Sequence, residues 1–273
     1  MDFTLSTYKK VLNLLRSQGF SFFTFAQYIE AKSKTNKEQN NNFESINLIV
    51  LRHDVDARPQ NSLAFARIQA EMGIAGTYYF RIVSKSYDEA IIKEIVELGH
   101  EVGYHYETMD TSKGNVDKAY IEFCRNLEIF RKLTPVQTIS MHGSPMSPYD
   151  NREIWNKYDY NKLSVLAEPY FDINFNELFY ITDTGRRWDG HLYNVRDKAT
   201  KENPITNPDF LKLRFSSTHD IIKAVESNYF PKHAMLNFHP QRWISRPVPW
   251  VKELIWQNIK NQGKRMLLAL REY

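Results

Sequence analysis

The chain has 273 residues, 42% of them hydrophobic and 25% charged, with 17 Phe, 16 Tyr and 5 Trp, the profile of an ordinary globular protein with a sizeable core. A formal charge of +4 without a Lys/Arg stripe argues against a nucleic-acid partner, and a single cysteine, Cys124, excludes an internal disulfide. No apolar run is long enough to span a membrane, and MDFTLSTYKKVLNLL is not a signal peptide, so the expected location is the cytoplasm.

Residues 4–17 have a helical rhythm, Leu5, Tyr8, Val11, Leu12 and Leu15, stopped by Gly19. SFFTFAQYIEA reads as a second short helix and KSKTNKEQNNNFES as a polar surface loop. Residues 1–46 are therefore expected to be an N-terminal helical extension with a polar loop, and 47–273 the main domain. NLIVLRHDV opens that domain with a buried-strand pattern over 47–54. In a continuing strand Asp54 and Asp56 point to one side and His53 to the other. A helix follows over 59–72, with Pro59 in its first turn, then a strand over 75–83. SYDEAIIKEIVELG is an amphipathic helix with Ser86 and Glu89 in a capping-box relation. A strand over 100–106, a helix over 115–133 and a strand VQTISMHG complete the regular part, with Cys124 on an apolar helix face as a core thiol. Beyond it, NKLSVLAEP, ELFYITDTG, FLKLRFS and HAMLNFHP read as strands or strand ends, and STHDIIKAVES and VPWVKELIWQNIKNQ as helices. Strand–helix alternation of this kind implies a mostly parallel sheet of seven or eight strands covered by helices.

The chemistry gathers at strand ends. Asp54 and Asp56 end the first strand, His105 and Glu107 the GYHYE strand, His142 the SMHG strand, and His239 and Arg242 the NFHPQRW strand. Carboxyl ends of parallel strands share one face, where sites form. Asp and His suit zinc or a similar divalent ion. His53 is expected to pack behind the sheet, and His100, His191, His219 and His233 to be structural or surface residues. There is no GxSxG elbow, Walker loop or dinucleotide-binding glycine pattern.

With RHDVD, GHEVGYHYETMD and MLNFHP in view, the chain resembles the polysaccharide deacetylases, the NodB-type carbohydrate esterases, in a divergent bacterial branch. The resemblance implies a distorted (β/α)7 barrel with an N-terminal helical addition, and a metal-dependent hydrolase removing an N-acetyl group from an amino sugar or glycan precursor. It implies Asp54 as catalytic base, Asp56 and His105 as ligands of a divalent metal, zinc first, and His239 as general acid. The family's second metal histidine falls on Met109, a poor ligand for such an ion. His142 is the expected replacement, with Asp110 next. In TDTGRRW, Asp183 and Arg187 are candidates to orient the base or grip substrate and Trp188 to form a sugar platform; Arg242 joins the substrate-binding set. The Met109 departure also leaves a rival class, a non-catalytic carbohydrate-binding or assembly protein on a deacetylase scaffold. A third class is a metal-dependent hydrolase of another amide.

Overall fold

In the computed structural model the described residues are 1–38, 45–144, 147–189 and 204–271. Seven strands form one all-parallel sheet: β1 (Ser21–Phe23), β2 (Leu48–Val55), β3 (Thr77–Phe80), β4 (Glu101–Tyr106), β5 (Ile139–Met141), β6 (Phe179–Thr182) and β7 (His233–Phe238). The order is β5-β4-β3-β2-β7-β6, with β1 pairing to the first half of β2 beside the point where β3 takes over. The sheet curls like a half-barrel and stays open between β5 and β6. Among the described residues, an isolated bridge between Thr138 and Ala167 lies beside that opening. This is a mixed α/β fold with a curled, open parallel sheet flanked by helices.

The helices are α1 (Leu5–Ser17), α2 (Phe25–Glu38), α3 (Pro59–Glu71), α4 (Glu89–Glu97), α5 (Thr108–Thr111), α6 (Val116–Arg131), α7 (Pro169–Asp172), α8 (Pro208–Lys212), α9 (Thr218–Glu226) and α10 (Pro247–Arg271). Most of the longer ones follow from apolar periodicity and a cap. Asn115 caps α6, and Ser217 and Asp220 form a capping box on α9. At α4 the cap is Asp88, whose carboxylate accepts from the amides of Ala90 and Ile91. Ser86 instead ties the end of β3 to β2, accepting from the Arg81 amide and donating to the Val55 carbonyl.

Four other expectations change. SFF is a strand, because it lies beside the apolar start of β2, and α2 begins only at Phe25. The helix then runs through the part of the polar segment up to Glu38; residues 39–44 lie outside the described set, as does His191. FLKLRFS contributes to α8, nucleated by the Asn207 side chain on the amides of Asp209 and Phe210. NKLSVLAEP holds a 3-10 turn over Tyr160–Leu163 and a single bridge at Ala167.

Helices α1 and α2 and strand β1 of the N-terminal segment are built into this architecture. The amides of Phe25 and Ala26, at the start of α2, donate to Thr77 Oγ1 and Glu101 Oε2 at 2.7 and 3.0 Å, so the helix sits against the amino end of the sheet. Tyr8 of α1 is buried, stacked on Phe65 at 3.8 Å and 3.1 Å from His53 Nε2. His53 faces this outer layer, its ring parallel to Tyr78 at 4.1 Å and its Nδ1 3.0 Å from the Thr77 carbonyl. The concave side is polar. Arg52, Asp54, Glu101, His105 and Ser140 are all on it, the first two because strand residues two apart share a face. Tyr104 and Tyr106, flanking His105, turn the other way onto Phe123 of α6.

Candidate metal centre

β2 delivers two carboxylates with different surroundings. Asp54 is held in a fork by Arg52, Nε to Oδ1 at 2.9 Å and Nη2 to Oδ2 at 2.8 Å, and also accepts from Asn237 Nδ2 at 2.9 Å. Burial pushes its pKa up, but Arg52 first, then His105 and His239, outweigh that and hold it below the usual carboxylate range. Arg52 reaches across the concave side to Ser140 Oγ at 2.7 Å, and Tyr79, Tyr170 and Tyr180 surround its guanidinium. A buried pair with this many partners keeps its geometry, since either charge alone would be costly. Arg52 was legible beforehand as the residue two before Asp54 on the same face; it carries no other sequence signal.

Asp56 lies just past the strand. Its Oδ2 accepts from Gln241 Nε2 at 3.0 Å, while its Oδ1 is buried with no hydrogen-bond partner among the described residues. Two imidazole nitrogens face that orphaned oxygen: His105 Nε2 at 3.7 Å and His142 Nε2 at 3.6 Å. Burial raises the Asp56 pKa, yet His142, His239 and His105 pull it well below the ordinary value. His105 Nδ1 is 2.9 Å from the Ser140 carbonyl, so that nitrogen carries the proton and Nε2 presents its lone pair. Burial keeps this ring neutral, with a pKa lowered to about 4. Ligands held about 2.0–2.2 Å from a tetrahedral zinc are roughly 3.3–3.6 Å apart; the two distances to Asp56 Oδ1 are close to that, while the two histidine nitrogens would have to draw together to share one ion.

His142 belongs to a second cluster as well. Glu107, Asp110 and His142 each place a ligand atom within 4.8 Å of the others, and this half-buried set could hold a metal ion. Its carboxylates are already engaged. Arg81 forks Glu107 through Nε at 3.1 Å and Nη2 at 2.5 Å, and Asp110 accepts from Ser147 and Asn151. Glu107 Oε2 is 3.0 Å from His142 Nδ1, close enough to pair though outside hydrogen-bonding angles. Burial lifts the Glu107 pKa, but His142 and Arg81 bring it down to about 2. Met109, at the family's histidine position, is buried in the core. Neither Arg81 nor Gln241 was singled out from sequence; both sit just past strand ends, which is the one signal they offer.

His239, past the end of β7, points Nε2 toward Asp56 Oδ2 at 4.0 Å and rests Nδ1 on Asp183 Oδ1 at 2.6 Å. Asp183 follows β6 and is fully buried, so it touches the histidine and not a ligand. Burial raises its pKa, and His239 and Arg242 lower it to a net value below the usual range. Arg242 donates to the Asp183 carboxylate at 3.2 Å and to its backbone carbonyl at 3.0 Å. Trp188 is 3% exposed, edge-on to Phe238 with its indole N–H on Thr218 Oγ1, so it is core and no sugar platform. Arg187 is part-exposed and forked onto Asp189.

The carboxyl ends of the strands thus bring Asp54, Asp56, His105, His142 and His239 together, with Asp183 and Arg242 behind His239. No protein-family model matches the chain, and no curated protein matches it significantly. The deacetylase resemblance is carried by the quoted motifs alone. Among the described residues, no helix is long and apolar enough to cross a membrane.

Proposed function

We propose that this chain is a metal-dependent amide hydrolase acting on the N-acetyl group of an amino sugar or glycan precursor. The observation that carries the reading is the orphaned Asp56 Oδ1 between His105 Nε2 and His142 Nε2 at 3.7 and 3.6 Å. Asp56, His105 and His142 are the residues we assign to hold the ion, zinc first. A divalent ion there supplies Lewis-acid polarisation of the acyl oxygen and activation of water. Glu107, clamped by Arg81, backs His142 as a carboxylate partner of its far nitrogen and orients the ring.

The chain's own groups then divide the proton work. Asp54, kept ionised by Arg52, accepts the proton of the attacking water at a carboxylate oxygen. His239, held by Asp183 through its Nδ1–H, acts in its doubly protonated form, delivering the second proton from Nε2 to the departing amine and returning to the neutral ring. The N-acetyl substrate class is supported by RHDVD, GHEVGYH and MLNFHP, which resemble the deacetylase motifs at these same positions. The test is acetate release from N-acetylated oligosaccharides by metal-loaded protein, beside Asp54→Asn and His239→Asn. Release lost in both variants at full metal content is the expected result. A fully loaded native protein that frees no acetate from any amino sugar would overturn the reaction assignment.

A further inference from the structure

The C-terminal helix is amphipathic in the wrong direction for a core element. Its polar side faces the protein. Gln257 and Asn261 are 7% and 5% exposed, Asn261 Nδ2 donates to the Gly185 carbonyl at 3.0 Å, and Glu253 pairs with Arg58 at 3.3 Å. A side chain on Gly185 would lie 2.3 Å from Asn261 Oδ1, so the helix is seated closely there. The Trp250 indole N–H donates to the Asp2 carbonyl at 2.6 Å, and Arg186 to the Trp250 carbonyl at 3.0 Å. Its apolar side faces out. Val248, Val251, Ile255, Trp256 and Ile259 are 66, 47, 56, 54 and 58% exposed. With 100° per residue, Val248, Val251, Ile255 and Ile259 fall on one stripe and Trp256 on its border.

Charge says what covers it. Over residues 246–263 the exposed charged side chains are Arg246, Lys252 and Lys260, all cationic, and the one acid, Glu253, is turned inward. Lys260 lies over the Trp256 ring at 5.0 Å. Apolar stripe, border tryptophan and flanking cations together match a helix lying in the headgroup plane of an anionic bilayer. A second copy fits worse. Pairing two such stripes in parallel sets each lysine near itself, and in antiparallel sets Lys252 near Lys260, so like charges meet either way.

We infer that α10 docks the protein onto an anionic lipid surface. The helix borders the metal centre, since its partner Arg58 is two residues past Asp56 and donates to the Gln241 carbonyl at 3.0 Å. The argument rests on the surface alone and not on the reaction.

The experiment is sedimentation of the full-length protein with vesicles of phosphatidylcholine, with and without phosphatidylglycerol. The variants are Ile255→Ser/Ile259→Ser and Lys252→Glu/Lys260→Glu, with metal content and circular dichroism as controls on the site and the fold. The native protein is expected to favour the anionic vesicles by about tenfold or more, the serine pair to lose binding by a similar factor, and the glutamate pair to lose the preference. Native protein that ignores anionic vesicles, or variants that bind as it does, would overturn the inference. So would a native dimer, seen by sedimentation equilibrium, that the serine pair dissociates.

Discussion

The Nδ1 of His239 and the Oδ1 of Asp183 are 2.6 Å apart, and the same carboxylate accepts the Trp243 indole N–H at 2.6 Å and both the amide and the ring of His239. An acid so completely surrounded by donors fixes which nitrogen of the imidazole carries the proton. Asp183→Asn replaces one acceptor oxygen with a donor, leaving some of these groups unpaired. We predict a fall of roughly 10²–10⁴-fold in acetate release, the range typical of general acid–base catalysis, with metal content unchanged. A loss of metal alongside the loss of rate would show that the substitution acts on the fold.

The two clusters that share His142 can be separated. Asp56→Asn and His105→Ala are expected to abolish metal binding, and Asp110→Asn to retain it. Elemental analysis of untagged protein after zinc loading and removal of excess metal is the measurement. Retention in Asp56→Asn with loss in Asp110→Asn would move the ion to Glu107, Asp110 and His142.

Gly103 sits two residues before His105, where an added Cβ would come within 2.4 Å of the Tyr79 ring and 2.5 Å of the Thr138 carbonyl. Gly103→Ala must push β4 away from β3 or β5. Overpacking of this kind costs about 1–3 kcal/mol, and the same shift moves His105. Urea unfolding and metal affinity should therefore weaken together in this variant.

His53 is neutral in the folded protein, since burial lowers its pKa from 6.5 to about 3. The unfolded chain binds the proton below its ordinary value, so this group's stability is fully present above about pH 6.5. It is lost as the pH falls from there toward 3. His53→Gln, uncharged throughout, should lose less stability on acidification. Between pH 6.5 and 5 the native protein is expected to lose roughly 1.5 kcal/mol more than the variant, the slope approaching about 1.4 kcal/mol per pH unit only once the unfolded-state ring is mostly protonated. Urea midpoints at the two pH values measure it, and equal slopes would refute the assignment.

The parts of the fold legible in the sequence were those where one periodicity dominates. LIVLRHDV has the pattern of a buried strand, its two sides told apart by alternation, and α4 and α9 have sharp apolar faces, although the cap of α4 is Asp88 and not the expected Ser86. β1 was hidden because three residues running straight into a helix show no period of their own; its strand conformation comes from β2. FLKLRFS alternates like a strand, but the Asn207 cap ahead of it decides for helix. That Asp54, Asp56, His105 and His239 lie near one another was foreseeable because each closes an apolar run. Arg81 and Gln241 were not, since their role comes from the opposite partner in space. Trp188, which by sequence fits a core position as well as a cleft wall, is enclosed by Phe238 and Trp243.

The curled sheet divides the site between two wings that meet at β2. His105 and His142 come from the β3-β4-β5 side, His239 and Asp183 from the β7-β6 side, and the acids from the strand between them. Among the described residues only the Thr138–Ala167 bridge lies beside the open edge, while Arg52 struts β2 to β5 across the concave side. Flexing about β2 would therefore alter the 4.0 Å gap between His239 and Asp56 while leaving the 2.6 Å pairing of His239 with Asp183 intact, because that pair rides on one wing. Under the proposed roles, the separation of the proton donor from the ligand set is thus a property of the sheet's curvature, because the two groups stand on opposite wings of it.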